Sequence, residues 1–342
     1  MATAAVLGAS GYAGGELVRL LDGHPDIELT HIGGHASEGR RLGELHPQLV
    51  GGDRRLGPID LDRIPTVEIV FLALPHGASA LLAAAAAERG MTVIDLGSDM
   101  RLDTPERYHS AYGAEHPIPA ELGEWDYGLP EVSAKPQPGA IRVAVPGCYP
   151  TAAVLAIAPL VAAGIAADTG MVVDAVSGAT GAGRALRTDL LFGEVAEGVR
   201  PYGLGGHRHR PEMEMALEGV AGRPVNLSFT PHLAPIQRGL VATVTATMSR
   251  AAATGDILET MDAFYRGRRF VEVLDRPPQT RWVSGSNRAM VTAAVDEHAG
   301  TVIAVAAIDN LLKGAAGQAV QCANLALGLD EGAGLPVAGW MA

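Results

Sequence analysis

Ala4-Ala5-Val6-Leu7 runs directly into Gly8-Ala9-Ser10-Gly11-Tyr12-Ala13-Gly14, and the chain continues as Gly15-Glu16-Leu17-Val18-Arg19-Leu20-Leu21. The four apolar residues read as a buried strand. Leu17, Leu20 and Leu21 recur at the spacing of one helix face, and His24-Pro25-Asp26 ends that helix. Between the two lies G-x-x-G-x-x-G, in the strand-to-helix setting that makes a glycine loop informative. Glycines let backbone turn sharply and come within contact distance of a pyrophosphate, whose charge is met by the N-terminus of the following helix. Gly8, Ser10, Gly11, Tyr12, Ala13 and Gly14 are thus the candidate cradle of a dinucleotide. A tight strand-to-helix turn without a ligand is the plainer alternative.

Working outward, residues 27–32, 67–73 and 92–96 read as further strands and 79–89 as a helix, the alternation expected of a parallel sheet covered by helices. Residues 108–138 turn aromatic, charged and proline-rich, which predicts an irregular surface crossing. A strand over 141–145 leads to an alanine-rich helix after Cys148, and strands follow at 171–176, 225–230, 239–248 and 301–308. That second group predicts a mixed or antiparallel sheet. The fold class is therefore α/β: a Rossmann dinucleotide-binding domain, 1–146, and an α+β catalytic and oligomerisation domain, 147–310. The last helix, 311–327, is expected to return to the first domain together with the rest of the chain to 342.

Composition narrows the function classes. The chain has 342 residues, 48% hydrophobic and 19% charged, enough for two folded domains. A formal charge of −12 repels polyanions as a whole, which excludes nucleic acid and acidic membrane surfaces as partners and leaves small anions to local arginines and helix ends. Cys148 and Cys322 form no disulfide framework and fit a reducing compartment. The first residues lack a basic targeting region, and the uncharged run 151–167, broken by Pro159 and Gly164, is shorter than the ~20 apolar residues of a membrane span. The expected location is the cytoplasm.

A dinucleotide unit for NAD carries an acid at the end of its second strand. Here that place reads Ile32-Gly33-Gly34-His35-Ala36-Ser37-Glu38-Gly39-Arg40-Arg41. With no acid at the strand end and Ser37, Arg40 and Arg41 just behind it, a 2′-phosphate is the better fit, so the expected cofactor is NADP (NADPH). A solvated surface turn is the alternative for the two arginines.

Pro146-Gly147-Cys148-Tyr149-Pro150-Thr151 opens the long apolar helix. Pro150 stands where a missing N–H costs nothing, and Cys148 lies at the positive end of the helix dipole, which is expected to lower its pKa and favour thiolate. The free N–H groups there suit an oxyanion. Cys322, mid-helix among apolar residues, reads as packing. The run Gly206-His207-Arg208-His209-Arg210-Pro211-Glu212 offers histidines at the start of another helix; general acid/base work suits them better than metal, since a third ligand at useful spacing is absent and no metal is expected. Arg184 and Arg187, after Ser177-Gly178, can clamp a phosphate or carboxylate or can be ordinary surface arginines.

Gly8 to Gly14, Leu74-Pro75-His76-Gly77, Pro146-Gly147-Cys148-Tyr149-Pro150-Thr151, Ser177-Gly178, His207-Arg208-His209-Arg210-Pro211-Glu212 and Ile308-Asp309-Asn310-Leu311-Leu312-Lys313-Gly314, in that order, resemble the N-acetyl-gamma-glutamyl-phosphate reductases of arginine biosynthesis. The resemblance spans nearly the whole chain. It implies the semialdehyde dehydrogenase fold in a homodimer or homotetramer, an acyl-phosphate substrate that yields inorganic phosphate, a thioester on Cys148, and His209 as the acid/base. It places Leu74, Pro75, His76, Ser177, Gly178 and Asn310 on the cofactor side. Arg101, Tyr149, Arg184, Arg187 and His207 are the candidates for holding substrate. Aspartate-semialdehyde dehydrogenase shares the architecture but differs around the cysteine and histidine. A non-redox cysteine hydrolase or acyltransferase leaves the glycine loop unexplained, and a dinucleotide sensor leaves Cys148 and His209 unexplained.

Overall fold

Strand β1 (Ala2–Leu7) lies between β2 (Ile27–Gly33) and β3 (Ile69–Leu72), parallel to both, in the computed structural model, which describes residues 1–341. Residues Ala4 to Leu7 and Ile69 to Leu72 are wholly buried, as expected of strands covered on both faces. With β4 (Thr92–Asp95), β5 (Asp126–Tyr127) and β6 (Arg142–Ala144) they form a six-stranded parallel sheet in the order β2-β1-β3-β4-β6-β5. Helices α1 (Tyr12–Leu21), α2 (Leu42–Leu45), α3 (Ala80–Glu88) and α4 (Pro105–Tyr112) fill its connections. Strand order reverses at β1, so a crevice opens beyond the carboxyl ends of β1 and β3, where the glycine loop and Leu74-Pro75-His76-Gly77 lie.

The crossing over 108–138 is irregular for most of its length, as its composition predicts, but it is not confined to the surface. Thr104 caps α4 by accepting the N–H of Arg107, with Pro105 in the first turn and Gly113 closing the end. Tyr108, Trp125, Leu129 and Glu131 are buried, and β5 completes the sheet edge. Glu131 is paired inside the molecule with Lys313, which composition does not show.

The second sheet is mixed, in the order β11-β12-β13-β10-β7-β9-β8. Its strands are β7 (Met171–Gly178), β8 (Arg200–Pro201), β9 (Leu227–Ala234), β10 (Leu240–Thr247), β11 (Val271–Val273), β12 (Ala289–Asp296) and β13 (Thr301–Ile308). Strand β12 escapes the sequence reading because Ala289-Met290-Val291-Thr292-Ala293 is apolar on both faces and lacks a period. Helices α5 (Cys148–Ala162), α7 (Arg210–Ala221) and α8 (Thr254–Tyr265) pack together on one face; α6 (Phe192–Val195) and α9 (Thr280–Val283) are single turns. Every residue of α5 from Tyr149 to Val161 is buried. Pro159 within it has no N–H for the Leu155 carbonyl, and the Tyr265 hydroxyl donates to that carbonyl instead at 2.6 Å.

A π-helical turn, Leu312–Ala316, leads into α10 (Gly317–Ala326). Leu312, Ala316, Ala319, Val320, Cys322 and Ala323 share a core with Val6, Leu17 and Phe71 of the first sheet's layer, so this helix does return to it. Cys322 is fully buried there, the packing residue its surroundings suggest. No described helix is long and apolar enough to cross a membrane.

Candidate active site

Cys148 is the first residue of α5, with Gly147 at the N-cap. Three groups meet at this turn. A Cβ on Gly147 would lie 2.6 Å from Nε2 of His209 and 3.0 Å from Nη1 of Arg101, so only glycine lets the imidazole edge and the guanidinium come this close to the nucleophile's backbone. From the other side, a Cβ on Gly314 of the π turn would stand 2.7 Å from Cys148 Cβ. The Gly147 N–H donates to Glu212 Oε1 at 2.8 Å. Arg101 donates through Nε to the Val145 carbonyl at 2.8 Å and through Nη2 to the Leu96 carbonyl at 2.9 Å.

The thiol is not the acidic one that a helix N-terminus predicts. Burial pushes Cys148 up to about 11, and the Arg101 charge and the Tyr149 N–H pull against it without prevailing. Loss of hydration is decided by the whole packing around a residue, whereas dipole and cap effects are local. The histidines are held neutral by the same cause. Burial, then the charges of His207, Arg101 and Arg208, keeps His209 well below the usual histidine range; burial and Arg208 bring His207 to about 4. His209 stands at the N-cap of α7; its Nδ1 is buried without a protein partner, and its Nε2 is the nitrogen turned toward the Gly147 turn. His207 Nδ1 accepts the His209 N–H at 3.1 Å. The wall beyond the thiol is aromatic: Tyr149, His207 and Phe229 meet edge to face, with ring centroids 5.1–6.0 Å apart. The Tyr149 hydroxyl donates to the His232 carbonyl and accepts from Tyr202, so this candidate presents its ring to the site.

The cofactor candidates gather at the crevice. Gly8 takes φ +103°, and a Cβ there would strike the Ala73 carbonyl, which locks the glycine loop against the end of β3. Gly11 is the N-cap of α1; no side chain caps this helix and no acid stands in its first turn. Its first amides, with Ser10, Tyr12 and Ala13 beside them, therefore remain for a ligand anion, which fits a pyrophosphate. Arg184, from the second domain, donates to the Ser10 carbonyl at 3.2 Å. Glu38, the one acid near the end of β2, is bound by Arg63 at 2.7 Å, while Ser37, Arg40 and Arg41 line the exposed turn, Arg40 on Glu44 and Arg41 near Asp53. His76 is steadied by Asp99 and Ser98, each 2.9 Å from Nδ1, and stacks on Tyr112. Asn310 donates to Thr180 Oγ1 and accepts the Gly239 N–H, tying the turn after Ser177-Gly178 to the start of β10.

Arg184 and Arg187 do not form one clamp. Arg187 is held by Asp189 on its own loop, a partner that Arg200 shares. Three features escape the sequence reading. Arg208, exposed between the histidines, sits close enough for its charge to bear on Tyr112, Tyr202, His207 and His209, and no hydrogen bond or ion pair to another described residue engages it. Lys313 is fully buried and donates to Glu131 at 2.6 Å and Gln321 at 2.8 Å. Arg238 joins Glu16 of α1, at 2.6 Å, to Asp309 at 3.3 Å, and Asp309 accepts the N–H groups of Leu311 and Leu312 that begin the π turn. A buried acid in the cofactor helix is the only sequence hint of this last chain.

Asp95, at the end of β4, is fully buried against Ser79 and Asp99. Burial and the Asp99 charge raise it to about 7, although the Gly97 N–H works against this. A carboxyl raised on folding costs no stability below its unfolded value of ~4, and stability is lost as pH climbs through 7. The expected outcome is that Asp95→Asn narrows the difference in melting temperature between pH 5.5 and 8; an unchanged difference counts against this titration.

Two family models match the chain: the semialdehyde dehydrogenase NAD binding domain over residues 3–137 and the semialdehyde dehydrogenase dimerisation domain over 148–310. An N-acetyl-gamma-glutamyl-phosphate reductase of Micrococcus luteus is 48% identical over 341 residues, covering 97% of each chain. One from Moorella thermoacetica is 42% identical and covers 99% of each. Among solved structures, aspartate semialdehyde dehydrogenase II of Vibrio cholerae, complexed with ASA, superposes with a TM-score of 0.70 at 18% identity, covering 95% of this chain and 98% of its own. The Candida albicans aspartate semialdehyde dehydrogenase with NADP gives 0.67 at 17%, again over 95% and 98%. These two establish the fold; the sequence relatives go further, and the chain belongs to the N-acetyl-gamma-glutamyl-phosphate reductase family.

Proposed function

We propose that this chain reduces N-acetyl-glutamyl 5-phosphate to N-acetyl-glutamate 5-semialdehyde and phosphate, with NADPH as reductant, in arginine biosynthesis. The observation that carries the mechanism is the meeting of Cys148, His209 and Arg101 at the Gly147 turn. Cys148 Sγ attacks the acyl carbon while its proton passes to the neutral His209 imidazole; the bond to the phosphate oxygen breaks and phosphate leaves, giving a thioester on Cys148. NADPH, when bound, supplies the hydride that reduces this thioester. The hydride leaves an alkoxide on the reduced carbon; as that oxygen re-forms the carbonyl of the aldehyde the C–S bond breaks, and His209 returns its proton to the departing Cys148 sulfur, restoring the thiol. The N–H groups at the start of α5 and the Arg101 guanidinium face the developing negative charge. Arg208, at the mouth, is suited to the substrate's carboxylate or phosphate.

NADP rather than NAD is favoured by the lack of an acid at the end of β2 itself, Glu38 lying beyond it on Arg63, and by Arg40 and Arg41 beside Ser37. A homo-oligomer is favoured by the dimerisation-domain match and by the sheet face opposite α5, where Val172, Val241, Ile303 and Val305 stand partly open to solvent. The test is the reverse reaction: reduction of NADP by N-acetyl-glutamate semialdehyde that requires added phosphate. Equal turnover of aspartate semialdehyde overturns the substrate assignment. In the same assay, the pair Arg40→Ala and Arg41→Ala is expected to raise KM for NADP more than for NAD; equal losses remove the 2′-phosphate role.

A further inference from the structure

We propose that Glu212 is the positioning residue of the nucleophile turn: one buried carboxylate sets Gly147, Tyr127 and Arg101 at once and meets no substrate. It is 1% exposed. Oε1 accepts the Gly147 N–H at 2.8 Å and the Tyr127 hydroxyl at 3.2 Å; Oε2 faces Arg101 Nη1 at 3.5 Å. The residue before the nucleophile, the edge strand β5 and the arginine after β4 are therefore registered to one side chain in the first turn of α7. A carboxylate at a helix N-terminus is also favoured by the helix dipole. Both oxygens face protein donors and the side chain is closed off from solvent, so Glu212 reaches the reaction only through the groups it holds.

Its charge and its geometry act on Cys148 in opposite senses. The negative charge stands against thiolate formation, whereas its hydrogen bonds place the turn and aim Arg101 at it. The titratable and charged groups around the thiol are Arg101 after β4, Glu212 and His209 at the start of α7, Tyr149 on α5 and Tyr202 after β8. In Glu212→Gln the amide oxygen can still accept from Gly147, but the charge is gone and an amide N–H faces Arg101, which its two backbone carbonyls retain. A more reactive Cys148 should thus accompany slower turnover while buried Cys322 stays protected, whereas loss of structure would expose both thiols.

The experiment measures two things on the full-length protein: kcat and KM of the phosphate-dependent reverse reaction, and the rate of Cys148 alkylation by iodoacetamide as a function of pH. Buried Cys322 serves as the internal reference. Glu212→Gln is expected to lower kcat roughly 100-fold, the cost of a displacement near 1 Å, with KM for NADP within about twofold. Its alkylation at pH 8 is expected to rise roughly threefold as the profile shifts to lower pH. A kcat within about threefold of wild type, or an alkylation profile that does not move, overturns the proposal. Should Glu212→Gln fail to fold, Tyr127→Phe removes one registering donor and leaves the charge: kcat is expected to fall roughly 3- to 10-fold with alkylation unchanged, and an unchanged kcat overturns the proposal. The kinetic arm rests on the reaction proposed above. The alkylation arm does not, so a wild-type protein inactive on the acetylated semialdehyde but shifted in alkylation by Glu212→Gln separates the two failures.

Discussion

Cys148→Ser is expected to leave the protein folded and able to bind NADP while cutting the phosphate-dependent oxidation of the semialdehyde by at least ~10³-fold. Serine is nearly isosteric, so Gly147, Gly314 and the α5 core are undisturbed. What is lost is an atom that forms a thioester and leaves again. The neutral His209 imidazole can take a proton from a thiol, but an alkoxide at this buried turn is far harder to form, since burial already holds the thiol at about 11. Steady-state rates alongside cofactor binding by fluorescence decide the matter. Activity within tenfold of wild type sinks the thioester mechanism, whereas loss of cofactor binding points to a fold defect instead.

The second large effect falls on stability. Lys313→Met leaves the Glu131 carboxylate buried beside Gln321 without its cation, and breaking a buried ion pair from one side costs about 3–5 kcal/mol. The lost contacts bridge the 127–135 segment and the π turn that presses Gly314 onto Cys148, so activity should fall along with the melting temperature. Adding Glu131→Gln to Lys313→Met removes the orphaned charge and is expected to restore more than half of the lost thermal stability. Thermal denaturation of the two variants and the double variant reads this directly. A single variant as stable as wild type shows that the pair contributes nothing.

Legibility in the sequence follows from how far each feature reaches along the chain. The glycine loop, the Cys148 turn and the α7 start are local: strand, glycine and helix signals fall within a dozen residues, and each stands where they predict. The parallel order of the first sheet follows from the same alternation. Features built by partners from opposite ends of the chain leave no such trace. Lys313 meets Glu131 across 182 positions, Arg238 meets Glu16 across 222, and Arg101 and Tyr127 meet Glu212 across 111 and 85. Helix α4 is hidden for a related reason: it is eight residues long, and of these only Tyr108 is buried, so it has no period to detect. The thiol's raised pKa is the plainest case, because desolvation is a property of everything that packs around Cys148.

The Glu16–Arg238–Asp309 chain links the helix that begins at the glycine loop to the turn that abuts the nucleophile. Its side chains are 7%, 15% and 0% exposed, so dissolved ions screen it weakly. The ligands of this family are anions that approach a protein of charge −12, and their encounter must vary with ionic strength. Salt therefore governs how often the substrates arrive, and leaves untouched the spacing at which cofactor and sulfur are held once they are there.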